Sequence, residues 1–303
     1  MTTMPKKSDI NYFVDEAENL GRSSNDNNNK IRENIITNMH NIIIDNSYCE
    51  DPEHGDKWIN FIFNFKNSMK IICPEYKTFK IEHKAGRQHN YDFMITFYNE
   101  TGQEIASKKL EFKFNASNIS EAPQFVSPMK PSQYLSQSFE EYYYTNYLIS
   151  LLQEFNLPIP DKELYLKKIH GSSPDCMTEA QGLYYQGCKG SSQYTGEQRA
   201  NEFAKKSKAV SKECIKKFID ETDLNIETLS QYLINSQDGK IYLLYKNGNF
   251  KIQLSDDDYT IVSYTKNSKY SRYEAVTKTG KNIRILLRWK NGNGIAFPAF
   301  QIS

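Results

Sequence analysis

Two stretches decide how this chain is read: Tyr91-Asp92-Phe93-Met94-Ile95-Thr96-Phe97 and Ser107-Lys108-Lys109-Leu110-Glu111-Phe112-Lys113-Phe114-Asn115. In both, large apolar residues recur at every second position, the period of a strand with one buried face. Asn99-Glu100-Thr101-Gly102 lies between them and carries turn residues, so the two strands are expected as a hairpin. On the second strand Leu110, Phe112 and Phe114 share one apolar face, while Glu111 and Lys113 share the other. One face belongs to a core, and the opposite face presents a carboxylate and an amine. Pairing of the two strands brings Asp92 beside Glu111. A third alternating segment, Thr78-Phe79-Lys80-Ile81-Glu82-His83, supplies one more strand.

Two carboxylates and a lysine on one strand face suit phosphodiester hydrolysis. Carboxylate oxygens hold Mg²⁺, which keeps several of its waters. Such an ion polarises a phosphate and lowers the pKa of a bound water. An adjacent ammonium orients that water or offsets charge in the transition state. The competing reading is a hairpin with a solvated face, on which Glu111, Lys113 and Lys109 are merely exposed.

Outward from this hairpin the apolar period lengthens. Residues 30–46 place Ile31, Ile35, Met39 and Ile42 on one stripe, and residues 57–73 form a second apolar helix that Pro74 ends. Asn11 to Leu20 reads as a short helix, and residues 21–30 (GRSSNDNNNK) read as a polar linker. Residues 132–155 form a long amphipathic helix, 171–200 a loop rich in Gly, Ser and Gln, and 201–221 a lysine-rich helix. From Gly239 the chain is strand-like, beginning with a hairpin around Asn247-Gly248. The organisation expected is an arm and linker over 1–29, a core with a helical insertion over 30–238, and a β-rich part over 239–303, either separate from or integral to the same domain.

The pattern of Asp92 followed by Glu111 and Lys113 resembles the PD-(D/E)XK nuclease superfamily, the restriction-endonuclease-like fold. That core runs helix, three strands, helix, strand, and the order of helix 30–46, strands 79–114 and helix 132–155 is similar to it. The resemblance implies an α/β fold with a mixed central sheet flanked by helices. It implies that Asp92 and Glu111 bind Mg²⁺ or Mn²⁺, and that Lys113 assists the water. It also implies an acidic residue from the first helix, for which Glu33 stands, and a downstream Gln or Tyr, for which Gln124 or Gln133 stands. The chain departs from the pattern in having Tyr91 rather than Pro before the aspartate. His83 suggests a variant, since some RNA endonucleases of this superfamily add a histidine to the acidic ligands. The segments GRQHNYDF, EFKFNAS…PQF and LLRWKNGNGIAFPAFQIS are also similar to nuclease-like proteins encoded by giant double-stranded DNA viruses.

Composition sets the outer bounds. The chain has 303 residues, 13% of them aromatic, so it is not disordered throughout. No apolar run approaches the roughly 20 residues a bilayer span needs, and the start lacks the apolar stretch of a secretory signal. A formal net charge of +1 leaves nucleic acid open as a partner, because 38 cationic side chains can segregate from 37 anionic ones. Five cysteines without a C-x-x-C suit free thiols in a reducing, cytoplasmic compartment, or a viral factory or virion if the chain is viral. Cys176 and Cys188 with His170 offer three ligands for zinc without an evident fourth. No P-loop, dinucleotide fingerprint or G-x-S-x-G elbow is present.

Candidate nucleic-acid contacts are Lys84, Arg87 and His89 before Asp92, then Gln124, and Arg288 with Lys290 beside Trp289 near the end. The 201–221 helix adds Lys205, Lys206, Lys208, Lys212, Lys216 and Lys217, either along a phosphate backbone or as a solvated face. The expected function is metal-dependent cleavage of nucleic acid, DNA before RNA, with a homodimer suited to cutting both strands. The alternatives are a non-catalytic nucleic-acid-binding or virion-associated protein on the same frame, an RNA endonuclease, and a structural protein in which the motif is chance.

Overall fold

A computed structural model describes residues 3–14, 22–84, 89–119, 130–171, 173–189, 193–254, 258–289 and 292–302. Along the chain these form helices α1 (Asn11–Val14), α2 (Arg22–Thr37), α3 (Met39–Ile44) and α4 (Gly55–Ile72), then strands β1 (Thr78–His83), β2 (Phe93–Tyr98) and β3 (Glu104–Phe114). Helices α5 (Phe139–Tyr143) and α6 (Ile149–Glu154) follow, joined by a π-helical turn over Tyr144–Leu148. Then come α7 (Lys162–Lys168), α8 (Thr178–Gly187), β4 (Cys188–Lys189), β5 (Gln193–Tyr194), α9 (Gln198–Glu221) and α10 (Ile226–Gln237). The chain closes with β6 (Lys240–Lys246), β7 (Asn249–Leu254), β8 (Ile261–Asn267), β9 (Arg272–Thr277), β10 (Asn282–Trp289) and β11 (Pro298–Ile302). The three strands around the motif and their hairpin are those the alternation predicts.

The chain divides into two units, Met1–Ala122 with Ser236–Asp256, and Pro123–Asn235 with Asp257–Ser303. The first holds a five-stranded mixed sheet in the order β1-β2-β3-β6-β7. β1, β2 and β3 pair antiparallel, β6 joins β3 in parallel, and β7 returns antiparallel. Residues 239–254 therefore leave the β-rich tail in which the sequence grouped them and complete the first sheet. The reason is legible afterwards: Ile241-Tyr242-Leu243-Leu244-Tyr245 is apolar on both faces, as a central strand must be.

One face of this sheet carries the core. Phe79, Ile81, Phe93, Ile95, Phe97, Leu110, Phe112 and Leu243 pack with Ile35, Ile36, Met39, Trp58, Phe61, Phe65 and Met69 of α2, α3 and α4. The N-terminal segment, expected as an arm, is part of that core through Ile10 and Phe13. Tyr48 Oη donates to the Pro5 carbonyl (2.6 Å) and Trp58 Nε1 to that of Lys7 (2.9 Å). The Asn-rich stretch expected as a linker is helical from Arg22 onward. Asparagine is a poor helix former, but tertiary packing outweighs propensity. Arg32 is buried, its guanidinium lies 3.4 Å from the Phe114 ring centroid, and its Nε donates to the Tyr12 carbonyl (2.7 Å). The single helix expected over 30–46 is broken at Asn38, whose side-chain amide donates to the Asn34 carbonyl (2.9 Å) and competes with the helical ladder.

The second unit has the antiparallel sheet β11-β10-β9-β8 and the remaining helices. Its core gathers Phe139, Tyr143, Leu148, Leu152, Tyr165, Phe203, Phe218, Tyr273, Leu287, Trp289 and Phe300. The helix expected from Ser132 starts instead at Phe139, because the Ser138 side chain caps it by accepting from the Glu141 N–H. The loop expected over 171–200 contains α8 and the short β4–β5 hairpin. Gly187, one of the residues that suggested a loop, is needed for close packing: a Cβ there would collide with the Ala200 backbone.

Candidate active site

Three strands of the first sheet build one cluster of charge. The register Phe93↔Leu110 sets Asp92, the residue before β2, across from Glu111 on β3. The Asp92 N–H donates to the Leu110 carbonyl (3.0 Å), and its Oδ2 accepts from the Phe112 N–H (2.8 Å). The first bond fixes the backbone of residue 92 against β3, and the second holds its carboxylate there. Behind it, Asn90 Nδ2 donates to the Ser236 carbonyl (2.7 Å), holding the approach to β2.

Glu111 lies on the face opposite the apolar core, as alternation requires, yet it is buried at 9% exposure. Beside it on the same face lie Tyr242 and Leu244 of β6, which cluster with Ala116 and Ile119. Lys113 Nζ donates to Glu111 Oε1 at 2.6 Å. On the other side Lys240, the first residue of β6, brings its Nζ to 3.5 Å from Glu111 Oε2. Each carboxylate oxygen therefore faces one ammonium.

The electrostatics follow from burial. Loss of solvent chiefly, then the negative charge of Glu111, pushes the Asp92 carboxyl up to about 7, against the pull of Lys113. Burial pulls the Lys240 amine below its ordinary value, with Glu111 opposing. Glu33 on α2 pairs with His83 at the end of β1 (Oε2 to Nε2, 3.2 Å). Its carboxyl is raised, by burial first, with His83 and Lys113 opposing, and its charge acts in turn on Asp92. Asp92, Glu111, Lys113 and Glu33 thus belong to one electrostatic neighbourhood, and His83 enters it through Glu33. A buried cluster with a carboxyl held near neutrality is a common signature of a reactive site.

The other residues read from the sequence fall elsewhere. Lys84 is tied to Glu82 (2.9 Å), and the His89 ring packs 5.3 Å from that of Tyr91. Arg87, Gln124 and Lys290 lie outside the described residues. Gln133 is exposed in a 3-10 turn of the second unit. Arg288, on β10 of that unit, donates to Gln301 Oε1, and Trp289 beside it is buried in the core. The lysines of α9 are partly engaged, Lys206 with Glu154, Lys217 with Glu213, and Lys208 near the Tyr194 ring.

The residue that sequence reading missed is Lys240. Its signal is a lysine opening a strand apolar on both faces, but only the parallel pairing of β6 with β3 brings it to Glu111. Among the described residues no three His, Cys, Asp or Glu side chains form a ready metal cage, and Cys176, Cys188 and His170 do not gather as zinc ligands. The two neighbouring carboxylates still supply the oxygen donors that Mg²⁺ takes while keeping its waters. None of the five cysteines is in a disulfide, and no helix among the described residues is long and apolar enough to cross a membrane. No protein-family model matches the chain, and no curated protein sequence matches it significantly.

Proposed function

We propose that this chain is a metal-dependent phosphodiesterase on a restriction-endonuclease-like frame, cleaving nucleic acid and DNA in preference to RNA. One observation carries the reading: Asp92, Glu111 and Lys113, distant by up to twenty-one positions, meet on one face of the sheet with Glu33 acting on them. The topology supports the frame. Three antiparallel strands followed by a parallel fourth, in the order β1-β2-β3-β6, are similar to the core the resemblance implies. The helix leading into that fourth strand is α10 rather than the 132–155 segment.

Asp92 and Glu111 would hold Mg²⁺ or Mn²⁺, with Glu33 as a further acidic donor. The ion, when bound, neutralises phosphate charge and acidifies water. The protein's own groups divide the remaining work. Asp92, with its carboxyl near 7, gives up its proton readily as a cation approaches. Its two backbone bonds keep it aimed. Lys113 is only partly buried, so its ammonium can leave Glu111 Oε1 to meet a phosphate oxygen or orient the attacking water.

A second reading, a non-catalytic nucleic-acid-binding protein, is favoured by the lysine at each oxygen of Glu111. Cleavage of plasmid, linear duplex, single-stranded DNA and RNA with Mg²⁺ or Mn²⁺ separates the two. We expect metal-dependent cleavage by the wild type, lost in a Glu111→Ala variant and strongly lowered in a Lys113→Ala variant, both remaining folded. No cleavage and no metal-induced rise in Tm would leave the binding reading.

A further inference from the structure

Lys240 is a costly residue. Its side chain is 2% exposed, and burying an ammonium is expensive unless a partner compensates it. Among the described residues the carboxylate that meets it is Glu111, at 3.5 Å. Lys240 lies on the same face of the sheet as Glu111, because β6 pairs with β3 in parallel and Lys109↔Lys240 and Glu111↔Tyr242 are in register. Its position is also braced. Lys109 Nζ donates to the Asp238 carbonyl (3.2 Å), and the neighbouring Tyr242 hydroxyl donates to Gln237 Oε1 (2.7 Å). The two lysines on Glu111 therefore differ. Lys113 is partly open to solvent and can swing away, whereas Lys240 is enclosed and cannot.

We propose that Lys240 is the positioning residue of this site: it holds Glu111 Oε2 from beneath, so that Oε1 remains aimed at the cation when Lys113 turns toward substrate. The proposal rests on the nuclease reading and adds a residue outside the D…E-x-K pattern. It gives the buried lysine the role of an outer partner that fixes a ligand's orientation. A lysine acting only as a competing positive charge would have the opposite effect, since its removal would tighten cation binding.

The test uses the full chain with Lys240→Met, which keeps the apolar stem, and Lys240→Gln as a second variant in case the first does not fold. Mn²⁺ binding is measured by calorimetry without nucleic acid, and the half-saturating Mn²⁺ for cleavage is measured in parallel. We expect Mn²⁺ affinity to fall by about 10-fold to 100-fold, the usual cost of removing such a partner, with unchanged secondary structure by circular dichroism. A crystal structure of the variant is expected to show the Glu111 carboxylate displaced. Unchanged or tighter Mn²⁺ binding, or a Glu111 carboxylate left in place, would overturn the proposal. Wild type that neither binds Mn²⁺ nor cleaves would instead sink the nuclease reading, and the position of Glu111 in the variant crystal would still decide whether Lys240 orients it.

Discussion

Among the described residues two carboxyl groups are pushed up to about 7, Asp92 in the first unit and Glu140 in the second, and burial is the first cause of both. Their surroundings differ. Asp92 has another carboxylate across the strand pair, two lysines acting on that neighbour, and a backbone N–H on its own oxygen. Glu140 sits on α5 with one oxygen, Oε1, lacking a hydrogen-bond partner among the described residues. The nearest cationic candidate, His170, is 3.5 Å away, but burial lowers its pKa to about 4, so near neutrality it is an uncharged ring. Tyr143, Tyr165 and Trp289 of the same core also carry buried polar atoms that lack a hydrogen-bond partner among the described residues. A raised pKa by itself therefore marks burial. What marks a candidate site is convergence: opposed charges that the fold gathers at some energetic expense.

The strongest way to break this contrast is catalytic. Lys113→Ala is expected to lower metal-dependent cleavage by about 10²–10⁴, the range for a group that assists proton transfer or water positioning. Glu111→Ala should remove cleavage altogether, whereas Glu140→Gln should leave the rate unchanged. Loss of cleavage in Glu140→Gln at intact fold would contradict the distinction drawn here.

The next effect is on stability against pH. Both carboxyls hold their proton more tightly folded than unfolded, where the ordinary values are 3.8 for Asp92 and 4.5 for Glu140. These two groups therefore lower stability as pH rises from about 4 to about 7, because their folded forms bind more protons across that window, while His170, whose pKa is lowered to about 4, contributes in the opposite direction. Glu140→Gln removes its share of the loss, about 3 kcal/mol at pH 8, and so should raise Tm at pH 8 more than at pH 5. Asp92→Asn should shift stability in the same direction. Thermal melts of wild type and variants across pH 4–9 check both, and a Glu140→Gln variant that gains no more Tm at pH 8 than at pH 5 would contradict the assignment.

Smaller effects sharpen the picture. Glu33→Gln should weaken Mn²⁺ binding by at least about tenfold, as expected on removing a further acidic donor; an unchanged isotherm would confine Glu33 to its pairing with His83. Tyr165→Phe should alter stability by no more than about 1 kcal/mol in either direction, since the hydroxyl it removes has no hydrogen-bond partner among the described residues. Chemical denaturation of the two proteins measures this directly.

Local pattern determined much of this protein by itself. Alternation over 78–83, 91–97 and 107–115, with turn residues between the last two segments, specified three strands, a hairpin, and Glu111 and Lys113 on the non-core face, and the strands form over 78–83, 93–98 and 104–114. These are short-range facts, since strand period and turn chemistry involve residues only a few positions apart. The placement of Asp92 beside Glu111 followed from the same hairpin. Tertiary structure alone decided the rest. The Asn-rich 22–30 segment is helical because Arg32 and its neighbours are packed, not because the residues prefer helix. Residues 240–254 belong to the first sheet because β6 pairs with β3 across some 130 positions, a parallel contact with no turn to announce it. That one long-range pairing also brings Lys240 under Glu111, and whether a buried lysine opposes a carboxylate depends on register, which no local pattern encodes.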